Sequence, residues 1–81
     1  MYFTYVLYSR SFDRLYIGQT DDLRYRVEKH NREEVTATKA YVPWELIYYE
    51  EFSSRSEAMR REGELKSHQG RDFIRRNLLN G

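Results

Sequence analysis

The chain contains no cysteine, a single proline and only four glycines among its 81 residues. The absence of cysteine excludes disulfides and thiolate metal sites, and it is compatible with a reducing cytoplasm. No apolar run is long enough to span a bilayer, and the first ten residues carry no charged segment ahead of their apolar part. We therefore expect neither a membrane anchor nor a signal peptide, no membrane partner, and a cytoplasmic location.

A strong net charge is also lacking, because 14 Lys and Arg residues face 13 Asp and Glu residues. A net charge of +1 by itself says nothing about nucleic acid as a partner. The chain is instead rich in rings, with eight tyrosines and four phenylalanines within its 40% of apolar residues, so large side chains can build a compact core. A length of 81 residues predicts a single domain over residues 1–81.

Runs of β-forming residues predict three strands, at residues 2–8, 15–18 and 44–52. Capping residues and helical spacing predict helices at residues 21–32, 55–67 and 71–79, with a loop over residues 31–42. We expect Gly70 to interrupt the helical structure and so to separate the last two helices. The order β-β-α-β-α-α predicts an α+β fold, in which helices flank a small three-stranded antiparallel sheet.

The segment from Leu15 to His30 combines the end of a strand, a turn at Gly18 and a helix that carries Arg26 and His30 four residues apart. This spacing puts a fixed cation and a titratable imidazole on one side of the helix. An antiparallel hairpin could bring the hydroxyls of Tyr5 and Tyr16 to the same end of the sheet. Taken singly, a lone histidine is more often a satisfied core residue, and a helical arginine is more often solvated.

Glu62 stands out in the second helix, because Ala58, Met59 and Leu65 of the predicted buried stripe surround it. A buried carboxylate without a partner costs several kcal/mol, so Glu62 should meet a cation, a metal ion or hydrogen-bond donors. The ordinary structural alternative is an ion pair with a nearby arginine at the edge of the stripe.

The chain lacks the ligands of a zinc site, a Ser-His-Asp arrangement and a Gly-rich phosphate loop, since Gly18 stands alone. A set of two tyrosines, one arginine, one histidine and one glutamate could instead hydrolyse a phosphodiester. A hard divalent ion would bind the carboxylate, the phosphate and water. The arginine would neutralise charge on the phosphoryl oxygens, and a tyrosinate or histidine would take a proton from water.

Several motifs now occur in a fixed order: Phe3-Thr4-Tyr5, Tyr16-Ile17-Gly18, Arg26, His30-Asn31, Thr38-Lys39, PWELIYYEEF, Glu62 and GRDFIRR. This ordered set resembles the GIY-YIG nuclease superfamily. It is most similar to the small stand-alone bacterial members, which look like the N-terminal cleavage domain of the excision-repair nuclease. The second triplet is complete, whereas the first keeps only its tyrosine because Phe3 and Thr4 replace Gly and Ile.

The resemblance implies a Mg²⁺- or Mn²⁺-dependent endonuclease, with Glu62 as the sole protein metal ligand and Arg26 on the scissile phosphate. Tyr5 and Tyr16 would position or deprotonate the attacking water, with Tyr5 the first choice as base, and His30 would assist. The substrate is expected to be DNA, cut with weak sequence specificity because the chain has no room for a separate recognition domain. The partner could also include a second copy or a larger DNA-repair assembly, since cutting both strands needs two sites.

Contacts with nucleic acid are expected at Gly18 and at five cations, namely Lys39, Lys66, Arg71, Arg75 and Arg76. The same cations support an alternative function, a nucleic-acid-binding module with this fold and little or no turnover. A third alternative is a small protein-interaction domain whose polar cluster is structural.

Overall fold

A computed structural model describes residues 1–79, and the last two residues of the predicted domain lie outside this part of the chain. The elements are β1 (Tyr2–Ser9), β2 (Arg14–Thr20), α1 (Leu23–Asn31), a 3₁₀ turn (Lys39–Tyr41), β3 (Glu45–Phe52), α2 (Arg55–Lys66), α3 (His68–Ile74) and a wider π-type turn (Arg75–Leu79). Within residues 1–79, none of the helices has the length and apolar character needed to cross a membrane.

The sheet is antiparallel with β1 in the centre, in the order β2-β1-β3. The predicted α+β class and the predicted hairpin between the first two strands are therefore confirmed. Tyr5 pairs with Gly18 and Leu7 pairs with Tyr16, and residues that face each other across a ladder lie on the same side of the sheet. The four residues thus share one face, and this pairing fixes where the tyrosines can meet.

Helix α1 and the segment that precedes β3 cover this first face. Its buried core consists of Tyr5, Leu7 and Trp44, against which pack Tyr16, Leu23, Val27, Tyr41, Val42 and Leu46. Helices α2 and α3 cover the opposite face, where the buried residues are Val6, Ile17, Leu65 and Ile74. Thr4 Oγ1 donates a hydrogen bond of 2.7 Å to the carbonyl of Ala58, which ties α2 to the central strand.

Short polar side chains begin the helices where the sequence indicates. Asp22 is the N-cap of α1, and its carboxylate accepts a hydrogen bond from the backbone N–H of Tyr25 at 3.1 Å. In α2 the N-cap is Ser54, whose Oγ accepts from the backbone N–H of Glu57 at 3.3 Å and donates to the Glu57 carboxylate at 3.0 Å. These caps satisfy backbone N–H groups that have no partner within their own helix.

The end of the chain differs from its prediction. Gly70 does not break the helix but lies inside α3, which begins behind the N-cap Ser67. A Cβ on Gly70 would overlap the carbonyl oxygen of Glu64 and lie 2.5 Å from the Cα of Leu65, so glycine is needed for the close approach of α3 to the end of α2.

Two apolar side chains on the helices are exposed, and one of them, Met59, belongs to the stripe that the sequence predicts to be buried. Phe73 is 40% exposed and Met59 is 54% exposed. Helical spacing predicts the buried side of a helix only approximately. The way in which α2 and α3 pack on the sheet decides which residues at the edges of that side are covered. Ile74 and Leu65 occupy the buried positions instead.

The two helical glycines provide a direct test of this packing. We expect Gly70→Ala to destabilise the fold by about 1–3 kcal/mol, because the added methyl group meets backbone atoms. In the matched control Gly63→Ala, a Cβ has nothing within 4 Å, so a gain of about 0.5–1 kcal/mol is expected. Urea unfolding followed by circular dichroism measures both, and equal effects would contradict the close approach.

Candidate functional site

The candidate site lies where β1 and β2 pair beneath α1. Tyr5 is 1% exposed and lies opposite Gly18, while Tyr16 is half-buried two pairs further along the hairpin, on the same face of the sheet. A Cβ on Gly18 would lie 2.7 Å from the hydroxyl oxygen of Tyr5 and 3.1 Å from Cε2 of Tyr16. Glycine at this position therefore makes room for both phenol rings on one face of the sheet. Contact of Gly18 with nucleic acid stays a prediction.

His30 is fully buried and connects this pair of strands to α1. Its Nε2 lies 3.0 Å from the hydroxyl of Tyr5, and its Nδ1 lies 2.8 Å from Oγ1 of Thr38. The Thr38 hydroxyl donates to the carbonyl of Val35 at 3.4 Å, so it can accept from Nδ1–H of His30. This assignment leaves Nε2 as the acceptor and Tyr5 as the donor, which is a neutral chain of three hydrogen bonds.

Burial and positive neighbours determine the protonation of this chain. Burial raises the pKa of Tyr5 to about 12, against the opposing effect of the nearby Arg26 guanidinium. Burial, followed by the charges of Arg26 and Lys29, lowers the pKa of His30 to about 4. At neutral pH Tyr5 is therefore a phenol and His30 a neutral imidazole. In these states the Tyr5 hydroxyl can donate its hydrogen bond to Nε2 of His30.

The rings around His30 hold it from several sides. The Tyr16 ring centroid lies 4.8 Å from that of His30, and the Tyr5 centroid lies 5.9 Å from it in an edge-on arrangement. Tyr16 also contacts the Trp44 ring at a centroid distance of 6.4 Å. The predicted meeting of Tyr5, Tyr16 and His30 therefore occurs in the fold, and the half-buried Tyr16 is the more accessible of the two tyrosines.

Arg26 lies one helical turn before His30 on the same side of α1, with its side chain half-buried. Its Nε is buried and has no hydrogen-bond partner among residues 1–79. A buried N–H donor without a partner costs about 1–3 kcal/mol, so such groups call for an explanation. An anion that enters the site would satisfy this donor.

The Glu62 carboxylate is 21% exposed and forms an ion pair with Lys66, at 2.6 Å between Oε2 and Nζ. The sequence left open a cation, a metal ion or hydrogen-bond donors as its partner, and a lysine one turn along α2 takes this role rather than an arginine. The negative charge of Glu62 also adds a minor contribution to the raised pKa of Tyr5, behind burial and Tyr16. The carboxylate therefore acts on the tyrosine site although it belongs to a helix on the other face of the sheet.

No group of three or more His, Cys, Asp or Glu residues within the described chain could by itself enclose a metal ion. Glu62 could contribute one carboxylate oxygen to a hard divalent cation, with water and substrate as the other ligands. Mg²⁺ tolerates such a set because it keeps several waters and binds through one or two carboxylates together with phosphate oxygens. The donor chemistry thus fits a substrate-dependent Mg²⁺ or Mn²⁺ site.

The remaining predicted nucleic-acid contacts do not converge on this site as one group. Arg75 pairs with Asp13 at 2.9 Å and Arg76 pairs with Asp72 at 2.9 Å, both at the surface. Arg71 donates through Nε to the carbonyl of Lys66 at 3.2 Å. Lys39 is exposed in the 3₁₀ turn. Contact of these cations with nucleic acid stays a prediction.

Sequence reasoning missed the supporting role of three residues in and after the loop over residues 31–42. Thr38 is 1% exposed, orients His30, and accepts at its carbonyl from Trp44 Nε1 at 2.9 Å. Asn31 donates to the carbonyl of Trp44 at 2.9 Å and accepts from its backbone N–H at 2.6 Å, which fixes the approach to β3. The sequence does offer a signal for two of them: Asn31 directly follows His30, Thr38 directly precedes Lys39, and both pairs belong to the ordered set of motifs.

The chain is similar to several known proteins. The family model described as the GIY-YIG catalytic domain matches residues 1–77. UPF0213 proteins of Staphylococcus aureus strains Mu3 and Mu50 are 44% identical over 55 residues, which is 67% of this chain and 67% of each relative. The solution NMR structure of a UPF0213 protein from Bacillus halodurans has a TM-score of 0.54 at 29% identity, covering 91% of this chain and 82% of that one.

The buried histidine should make the stability of the fold depend on pH. The unfolded chain protonates His30 near pH 6.5 and the folded chain only near pH 4, so stability is complete above pH 6.5 and is lost as the pH falls toward 4. We expect the free energy of unfolding to fall by about 2–3 kcal/mol over this range because of His30. Urea unfolding at several pH values measures this change. His30→Gln should lose it and the exposed control His68→Gln should keep it, whereas the same slope in both variants would contradict the assignment.

Proposed function

The chain belongs to the GIY-YIG catalytic domain family, a family of nucleases, and from this premise we propose that it is a divalent-metal-dependent endonuclease that hydrolyses phosphodiester bonds in DNA. The proposal treats residues 1–81 as one nuclease domain that acts in the cytoplasm with weak sequence specificity. A place in DNA repair and a second copy or a larger assembly as partner remain parts of the proposal.

The observation that carries the proposal is the Nε of Arg26, which is buried and finds no hydrogen-bond partner within residues 1–79, near Tyr5 and Tyr16. A guanidinium offers several N–H donors in a plane that matches a phosphate group. Its positive charge would neutralise the phosphoryl oxygens as a fifth ligand approaches phosphorus. A phosphate bound to Arg26 would also accept a hydrogen bond from the buried Nε–H and so remove the free-energy cost of leaving that donor unpaired. The same contact would therefore favour both binding and catalysis.

The half-buried carboxylate of Glu62 supports the choice of cofactor, because a hard oxygen donor suits Mg²⁺ or Mn²⁺. Glu62 would hold such an ion, and the chemistry the ion would supply is positive charge that stabilises negative charge on the leaving oxygen. Glu62 would have to exchange its present partner Lys66 for the ion, wholly or in part. Lys66 would then be released toward the neighbouring phosphate, in agreement with its predicted contact with nucleic acid.

The hydrogen bond between Tyr5 and His30 supports a route for the proton of the attacking water. With a pKa of about 12, Tyr5 is protonated at neutral pH and can accept a proton only if it releases its own. His30 Nε2, at 3.0 Å, is positioned to receive that proton. Tyr16, as the more accessible phenol, would hold the water in place. His30 must be neutral for this transfer, and its pKa of about 4 ensures this over the physiological range.

One observation favours the alternative function, a nucleic-acid-binding module with little turnover. The pairing of Glu62 with Lys66 at 2.6 Å neutralises the only carboxylate assigned to the metal. If this pair were stronger than the interaction with the ion, the domain would bind DNA and release it uncut. The two functions differ in product formation, since only the enzyme accumulates cleaved strands in Mg²⁺ or Mn²⁺.

The assignment predicts that Arg26→Ala and Glu62→Gln each lower the rate of DNA cleavage by about a hundredfold or more. Cleavage of a labelled DNA in Mg²⁺ or Mn²⁺, resolved on a denaturing gel, measures the rate. The matched controls are Arg24→Ala and Glu28→Gln, two exposed charges on α1, which should retain the wild-type rate. Full activity in both folded site variants would reject the proposed mechanism.

The ion pair of Glu62 gives a separate prediction about metal concentration. In Lys66→Met the carboxylate loses its competing cation, so half-maximal cleavage should need about twofold to fivefold less Mg²⁺. Lys39→Met is the comparison variant, because Lys39 forms no ion pair with the residues that the structure describes. It should raise the KM for DNA and leave the metal requirement unchanged. An unchanged metal requirement in Lys66→Met would show that Lys66 does not compete for Glu62.

A further inference from the structure

A second group of side chains, outside the site described above, lies at the turn between β1 and β2. The guanidinium carbon of Arg14 lies 4.5 Å from the centroid of the Tyr41 ring. The ring of Phe12 meets the same tyrosine edge-on, at a centroid distance of 5.4 Å and an angle of 75°. Phe12 is 50% exposed, although it packs against a neighbour. We call these three residues the hairpin cluster.

The hairpin cluster is continuous with the candidate active site. Arg14 precedes Tyr16 by two residues on β2, so both side chains lie on the same face of the strand, about 7 Å apart along it. Tyr41 packs against the core that contains Tyr5 and Trp44. Its carbonyl accepts a hydrogen bond of 2.6 Å from Ser9 Oγ at the end of β1. A strand of nucleic acid seated at Tyr16 would therefore reach Arg14 with a neighbouring nucleotide.

The charges around the cluster leave Arg14 available for an anion. Two carboxylates of this region are already engaged: Asp13, next to Arg14 in sequence, pairs with Arg75 at 2.9 Å, and Glu45 pairs with Arg10 at 3.0 Å. Arg14 itself forms no ion pair with any residue of the described chain. The Tyr41 ring contacts the guanidinium of Arg14 without accepting a conventional hydrogen bond from it, so its N–H groups stay free to bind an anion.

The chemistry of the cluster is that of a site for unpaired nucleotides. An exposed aromatic ring next to a cation can stack on the face of a base, whereas the bases of an intact duplex already stack on one another. Arg14, which contacts the same Tyr41 ring as the exposed Phe12, can bind a neighbouring phosphate. We infer that Phe12 stacks on an unpaired base and Arg14 binds its phosphate, so that the hairpin cluster seats a single-stranded segment of DNA beside the cleavage site. This inference rests on the proposed function for the identity of the substrate.

The test measures binding without divalent metal, so that it does not depend on cleavage. A single-stranded oligo-thymidylate with one 2-aminopurine reports affinity by anisotropy and stacking by the quenching of its fluorescence. We expect Phe12→Ala to weaken binding by about fivefold to a hundredfold and to abolish the quenching. Tyr49→Ala is the matched control, because Tyr49 is 48% exposed on β3 and should bind as the wild type does.

The role of Arg14 is tested by salt dependence. Arg14→Gln should reduce the slope of log affinity against log salt by about 0.7, the value for one phosphate contact on a single strand. Phe12→Ala should keep the wild-type slope. Arg60→Gln, which removes an equal charge from an exposed position on α2, should change neither slope nor affinity. Thermal melts of all variants establish that each is folded.

The outcomes separate this inference from the proposed function. If the wild type cleaves DNA and both cluster variants bind and cleave single strands as well as it does, the inference is wrong and the nuclease assignment stands. If the cluster variants lose single-strand binding but no protein yields cleaved product, the inference holds and the nuclease assignment fails. Equal losses for duplex and single-stranded DNA in Phe12→Ala would also overturn the inference, because stacking requires an unpaired base.

Discussion

The hydrogen bond between the Tyr5 hydroxyl and His30 is the interaction on which the arrangement of this face depends. It joins the central strand to α1 across a largely apolar core, and it is effective only while the imidazole is neutral. Burial of His30 keeps it neutral, and Thr38 fixes which nitrogen carries the proton. Because Arg26 lies one turn away on the same helix, the hydrogen bond also sets how close its guanidinium comes to the tyrosines.

Much of the fold could be predicted because its signals are local. Alternating β-forming residues mark the strands, and Asp22 and Ser54 mark the helix starts by capping backbone N–H groups nearby in sequence. The role of Gly70 is not visible in the sequence, because it depends on a tertiary contact: α3 lies so close to the backbone of α2 that residue 70 has no room for a side chain. The same applies to Phe73, since only the docked position of α3 decides which of its sides is covered.

The candidate site shows a similar division. The sequence predicts that Tyr5, Tyr16 and His30 lie together, because two β-forming runs indicate a hairpin and a helix with His30 follows it, and the fold brings these side chains into contact. The sequence leaves the register of the hairpin open, and only the structure shows that Tyr5 faces Gly18. The partner of Glu62 was left open, because helical spacing allows a lysine four residues later but does not show which way either side chain turns. Thr38 was not recognised as a partner of His30, since a bond between a loop and a helix depends on how the loop folds back.

The central position of β1 has a consequence for how the molecule is assembled. Its pairing with β2 closes only a short loop, whereas its pairing with β3 must close a much longer one that includes α1. We therefore expect the hairpin to form early and β3 to join late, as is usual when sequence-distant segments meet. Trp44 and Thr38 take their places only when β3 has joined, and they complete the surroundings of His30. Chains that are still folding would then hold the two tyrosines together but lack an ordered histidine, so the chemistry would begin only after the last strand has docked.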